Sequence, residues 1–371
     1  MRLLQKTVMG SALLAVQGFC GIVGNIPLGP LLNQADAVVV GTVAESTAGA
    51  GSLAINLTVL RPVKGSNTMG SSILATWTSP LFSSTGLTAN APQASPLVGH
   101  TGLWFLQRLG SGWAVLPLAT GDVRANGIYI PVPSGPLPPA YVYQTNASLH
   151  TKILQEIGAA AEDPATAEPI SRLEASRVLV GLDQTPLLAL LTHLSSSSQT
   201  IAKATGLAGL VRQGIPTAPL ALSAIDFGAF SGQVQNNLSN AICEYRNTDT
   251  AGVSALGVLL NSRYQDGVRA CAAHALREIH TLQAALLLEA LFGDASARIR
   301  YDAVIGIAQF AMGFPQAGLA DKATVIASFN PGPSVTREMK QHFPSQSLFS
   351  TNEQEYLSYW KMWLSAHSGQ Q

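Results

Sequence analysis

The stretch "YQDGVRACAAHALREI", Tyr264 to Ile279, sets two charges, Asp266 and Arg269, at the head of an alanine-rich apolar run. Its β-branched Val268 opens a helical pattern in which Ala272, Ala275, Leu276 and Ile279 share one face by the i, i+4, i+7, i+8 rule. Four other places open in the same way, at Ile170, Ile201, Val234 and Ile299; taken in chain order the five are 31, 33, 34 and 31 residues apart. A near-constant period of this size marks a repeat array. From Ile299 the inward positions are Ala303, Gly306, Ile307 and Phe310.

Second helices are expected between the first ones, at Pro186 to Leu194, Ala218 to Ile225, Gly252 to Leu260 and Ala284 to Phe292. Each unit then reads as a helical hairpin. One hairpin cannot bury its apolar face alone, whereas stacked neighbours share a continuous core.

The segments "DGVRACAAHAL" and "SARIRYDAVIGI" resemble the short HEAT-type (armadillo-type) helical repeat, with its Val-Arg pair before an Ala-rich helix. The resemblance covers about 169–330; the first three repeats have Ser171, Ala202 and Gln235 at the arginine position. Neither the tetratricopeptide "WxxLGxxY" nor the ankyrin "TPLHxA" pattern is present. The resemblance implies structural roles for Asp266, Val268, Arg269, Ile299 and Arg300. Arg269 and Arg300 stand where the family stacks an arginine between turns, and Asp266 is expected to cap its helix. The last helix, Asn352 to His367, puts Tyr356, Trp360, Trp363 and Leu364 on one face and is read as a cap on the array.

The first half is different. "ADAVVVGTVAES", "SLAINLTVLRPVKG", "SSILATWTS", "GLWFLQRL", "GWAVLPLA" and "GIYIPV" are short β-branched or aromatic runs divided by turn residues. Leu53, Ile55, Leu57 and Val59 alternate with Ala54, Asn56, Thr58 and Leu60, so one face packs inward. These strands predict a small barrel or sandwich. The arrangement "ADAVVVGTV…VLRPVKG…GLWFL" resembles the netrin or metalloproteinase-inhibitor type of OB barrel. That family's inhibitors ligate a protease zinc through an exposed N-terminal cysteine, a device not evident here. The expected fold class is therefore β then α, an OB-like antiparallel β barrel followed by a HEAT-like α-solenoid. The expected divisions are a signal peptide over 1–28, the β domain over 29–150, a linker over 151–168, the solenoid over 169–330 and a C-terminal segment with its capping helix over 331–371.

Of 371 residues, 47% are hydrophobic and 11% charged, with zero net charge, which argues against disorder and against a nucleic-acid surface. Arg2 and Lys6 precede an apolar run from Thr7 to Val16 that is too short to span a bilayer. It reads as a secretory signal, with cleavage expected between Gly18 and Leu28 and no membrane insertion afterwards. Gln17, Gly18 and Phe19 make a poor lipobox for Cys20. The exported chain keeps Cys243 and Cys271; if their helices stack in register, six positions separate them, roughly 9 Å along the axis. A disulfide needs Cα atoms within about 7 Å, so two separate buried thiols are expected.

No HExxH, CxxC, GxSxG, P-loop or dinucleotide fingerprint occurs. His274, Glu278 and His280 lie close along one helix but lack matching ligands in adjacent repeats, and His193 is read as a packing residue. No catalytic, metal or cofactor residue is assigned. The long loop from Ser79 to His100 is the expected contact surface of the barrel. The leading expectation is an exported, non-catalytic scaffold that binds a protein on the concave face of its second helices. The alternatives are an inhibitor or sensor of a secreted hydrolase acting through the barrel, and an enzyme with a dispersed interdomain site.

Overall fold

A computed structural model describes residues 27–49, 52–65, 71–78, 97–116, 129–175, 177–226, 228, 230–314 and 335–367. The N-terminal run through Ile26, Cys20 included, and most of the loop expected as the barrel's contact surface lie outside these residues.

A short helix, α1 (Leu28–Gln34), leads into strands β1 (Ala37–Gly49), β2 (Ser52–Lys64), β3 (Ser72–Thr78), β4 (Thr101–Leu109), β5 (Gly112–Val115) and β6 (Ile130–Pro131). The strands follow the order β1-β2-β3-β5-β4, and β4 pairs back onto β1, closing a five-stranded barrel with β6 added to β4. The β3–β5 pairing is parallel and the others are antiparallel. Closure in this order is OB-like. Leu53, Ile55 and Leu57 point into the barrel with Ala37, Val39, Ile73, Ala75, Trp104 and Leu106, and Val59 packs against the same core, as the alternation predicts.

The run "AVVV" is buried on both faces. Ala37 and Val39 fill the barrel, while Val38 and Val40, with Leu103 and Phe105 of β4, face outward and join the core of the helical part. That second face is covered by α1, whose Leu28, Leu31 and Leu32 are buried, and by Ile153, Leu154 and Ile157 of α2 (Leu149–Glu162). Continuous apolar strands of this kind belong to sheets covered on both sides. The expected linker over 151–168 is thus helical for most of its length, through α2 and the start of α3 (Ala167–Ala175). Leu28, placed at the end of the expected leader, belongs to this core.

Two groups pin the junction. Arg61 reaches from β2 to Glu156 of α2, with Nε to Oε1 and Nη2 to Oε2 both 2.9 Å, and also donates to the carbonyls of Pro133 and Gly135 in the segment after β6. Glu156 is fully buried and accepts a further bond from the Tyr143 hydroxyl. Lys64 Nζ donates to the carbonyls of Leu32 and Ala35, where a cation suits the C-terminal end of α1.

Beyond α3 come α4 (Gln184–Ser195), α5 (Thr200–Arg212), α6 (Ala218–Ser223), α7 (Gly232–Cys243), α8 (Thr250–Leu259), α9 (Asp266–Ile279), α10 (Leu282–Glu289) and α11 (Ala297–Ala311). The five β-branched positions fall within α3, α5, α7, α9 and α11, and the four expected second helices are α4, α6, α8 and α10. Neighbouring first helices pack on one another, and α6, α8 and α10 pack in turn, giving two layers. The chain closes with α12 (Arg337–Gln341), α13 (Gln346–Thr351) and α14 (Glu353–His367).

Small residues set the spacing. A Cβ on Gly206 of α5 would lie 2.5 Å from the Ser195 nitrogen and 2.7 Å from the Leu191 oxygen, so α4 and α5 must separate to admit one. Gly206→Ala gains about 1 kcal/mol of helix propensity but meets backbone that cannot rotate away. The expected result is a net loss of about 1–3 kcal/mol in urea unfolding.

Two expectations fail here. Cys243 and Cys271 form a disulfide with Cα atoms 4.2 Å apart, where separate thiols were expected. The helices α7 and α9 are therefore not held with Val234 level with Val268; Cys243 ends α7 and meets Cys271 within α9. Asp266 is also not a cap. The N-cap is Gln265, which makes no side-chain cap bond, and Asp266 stands in the first turn and pairs with Arg269 at 3.0 Å. Side-chain caps occur instead at Ser148, Asp249, Thr281, Thr336 and Ser345.

Candidate functional site

Arg269 links three elements. Its Nε donates to the Leu260 carbonyl at 3.2 Å, Nη1 pairs with Asp266, and Nη2 pairs with Asp294 in the turn before α11. Thirty-one residues further on, Arg300 donates to the carbonyls of Asp294 and Ala295 and makes a two-pronged pair with Glu353 at the start of α14. Val268 and Ile299, each next to one of these arginines in the chain, are buried. The arginines tie turn to turn and hold the last helix in place.

The aromatic face of α14 is equally committed. Trp360 is fully buried and its Nε1 donates to the His342 carbonyl at 2.7 Å; Tyr356 is 6% exposed, and Trp363 meets Phe310 of α11 edge to face. These contacts leave little of Tyr356 or Trp360 open to a ligand.

His274 approaches Asp302 of α11 at 3.6 Å, and Arg277 donates to the same Oδ1 at 2.9 Å. Among the described residues no group of three His, Cys, Asp or Glu side chains is placed to hold a metal. Burial pushes the Asp302 carboxyl up, but the hydrogen bonds and charges of His274 and Arg277 more than offset it, leaving the carboxyl below its ordinary range. A lowered folded-state pKa stabilises above the unfolded value and is lost as pH falls through the folded one. Stability is therefore expected to fall below about pH 4, and Asp302→Asn to flatten that decline, as read by thermal unfolding between pH 3 and 7. His193 is half-exposed, meets Tyr141 edge to face and lies 3.8 Å from Glu162.

A second charge network, missed in the sequence, runs between α3, α5 and α7. Arg212 is 6% exposed; its Nη1 pairs with Glu174, its Nε with Glu244 at 2.8 Å, and its Nη2 donates to the Asn237 carbonyl at 3.1 Å. Arg177 adds a fourth charge, 3.2 Å from Glu244. Burial pushes the Glu174 carboxyl up against the pull of Arg212. Burial lowers the Arg212 pKa too, but Glu174 and Glu244 raise it further, so the guanidinium stays charged. In the sequence Glu174, Arg212 and Glu244 are scattered helix-end charges. Only Arg212, next to buried Val211 at the end of a helix whose one other charged residue, Lys203, is exposed, hints at the network.

This network borders a cleft of about 270 Å³ walled by Leu179, Val180, Leu182, Leu187 and Leu191, with Gln184 and Gln213 also lining it. One wall is the turn 177–182, which contains two left-handed residues, Arg177 at φ 56° and Gly181 at φ 85°. The turn is tied to the start of the fold by bonds from Leu28 N to the Val178 carbonyl and from Gly29 N to the Val180 carbonyl. It also presses so closely on Gly29 that a Cβ there would sit 2.6 Å from the Gly181 oxygen.

The layer of second helices has an unusual surface. Across α4, α6, α8 and α10 the only acidic or basic side chains are His193 and Glu289. Ala189, Ala221, Val258 and Leu286 are exposed on it. The first-helix layer is richer in charge: α9 alone carries Asp266, Arg269, His274, Arg277 and Glu278. No protein-family model, curated protein or solved structure matches the chain.

Proposed function

We propose that this chain is an exported, non-catalytic scaffold whose HEAT-like array binds another protein on the layer formed by α4, α6, α8 and α10. The observation that carries this reading is the near absence of charge on that layer combined with exposed Val258 and Leu286, 42% and 44% accessible. Charged side chains are depleted at the centres of protein interfaces. A helical array presents its repeated helices as one extended surface. The charge clusters described above bond chiefly to their own chain, which suits structural roles better than catalytic ones.

Export is supported by the basic and apolar order of the first residues and by the Cys243–Cys271 disulfide, a bond that persists in oxidising compartments. The netrin-type reading of the barrel rests on the resemblance of its strands, and a fold alone does not assign it an inhibitory role.

Photo-crosslinking in the native envelope or secreted fraction tests the reading. A photoreactive residue replaces Val258 or Leu286 in the full chain, with exposed Leu74 of the barrel as the comparison. Recovery of one discrete partner through positions 258 and 286, lost in Val258→Glu, is the expected result. Recovery of a hydrolase through position 74 alone would overturn it and move the site to the barrel.

A further inference from the structure

We propose that the cleft beside α4 receives one large apolar side chain from an uncharged segment of the partner's main chain. The inference rests on the binding role proposed above and adds a second contact for the same partner, at the edge of the array where the end of α3, the turn 177–182, the start of α4 and the end of α5 line the cleft.

Three observations favour this occupant. At about 270 Å³ the space falls just short of the roughly 300 Å³ at which pockets for drug-sized ligands begin, and its side walls are aliphatic. Its charged end is already balanced: Arg177 and Arg212 face Glu174 and Glu244, so two cations meet two anions and an added charge finds no unpaired opposite. At its edge Gln184 Nε2 donates to Gln213 Oε1 at 2.7 Å. That bond leaves the Gln184 oxygen as an acceptor and the Gln213 amide as a donor, and the reversed assignment would leave the same pair. A peptide group offers the complementary donor and acceptor. The chemistry specified is an apolar side chain carried on a neutral peptide backbone.

The test uses the full-length chain with 13C-labelled leucine and valine methyl groups and four blocked tripeptides, N-acetyl-Ala-X-Ala-amide with X = Leu, Phe, Ala or Glu. The Leu and Phe peptides are expected to shift the methyl signals of Leu182, Leu187 and Leu191 and to bind about tenfold or more tightly than the Ala and Glu peptides. Leu187→Trp should fill the cleft and abolish the response. Because that substitution alters a buried position, Val180→Asp supplies a second variant at a residue 53% exposed, expected to weaken the Phe peptide about tenfold with an unchanged melting temperature. Equal response to all four peptides, silence of the three leucines, or a response to hexanoate with none to the Phe peptide would each overturn the proposal. Crosslinking through positions 258 and 286 keeps the two readings apart. If it survives while the cleft is silent, only the cleft proposal falls; if it is lost while the cleft responds, the broader binding surface falls.

Discussion

Arg212→Met is expected to cost about 3–5 kcal/mol at neutral pH, because it strands Glu174 as an unpaired charge inside the protein. Glu174 is buried and its cation is Arg212, while Glu244 is about 29% exposed and keeps Arg177. The sign of the pH dependence follows from burial. Without Arg212 the Glu174 carboxyl is pushed further above the ordinary glutamate value near 4.3. A raised folded-state pKa contributes stability below the unfolded value and loses it as pH rises through the folded one. The deficit of Arg212→Met should therefore shrink between pH 7 and pH 5, as read by urea unfolding at both pH values. Adding Glu174→Leu should recover most of the loss, since apolar replacement of both members of a buried pair is often neutral or better. A deficit that stayed constant with pH and was not recovered in the double variant would mean that Arg212 acts through packing alone.

The sequence made the helical array legible because its signal repeats. A β-branched residue before an apolar stripe occurs five times, and each occurrence lies in a first helix. The strands were legible for a related reason: alternation at Leu53, Ile55 and Leu57 follows from a backbone that turns successive side chains to opposite faces. What failed depended on how elements meet. Whether Asp266 or Gln265 takes the cap position is a shift of one residue, and periodicity does not set boundaries that finely. The apparent linker contains "ILQEIGAAAE", whose small apolar residues give α2 a buried face against both the barrel and α4. The clue to that shared core was present in "AVVV", since a strand with one wet face would alternate there and this one does not. Glu156 and Arg61, 95 positions apart, could not have been joined by any local pattern.

The disulfide is the most consequential correction, and its removal yields the second large effect. Cys243→Ala with Cys271→Ala is expected to destabilise the chain by about 3.5 kcal/mol, because the bond closes a loop whose ends lie 28 positions apart and restricts the unfolded chain accordingly. Alanine at both positions leaves no lone thiol to react. Cys271 is buried between α7 and α9, and Arg246 donates to the carbonyls of Cys243 and Tyr245 at 2.7 and 2.6 Å, so the end of α7 keeps its hydrogen bonds without the sulfurs. The loss should therefore appear mainly as a lower denaturation midpoint, with the folded chain retaining its helical circular dichroism. Dithiothreitol should lower the wild-type midpoint toward that of the double variant and leave the double variant unchanged. If reductant shifted both equally, the bond would not be the origin of the effect. If it shifted neither, α7 and α9 would be held by packing alone, and the disulfide would lose its weight as support for export.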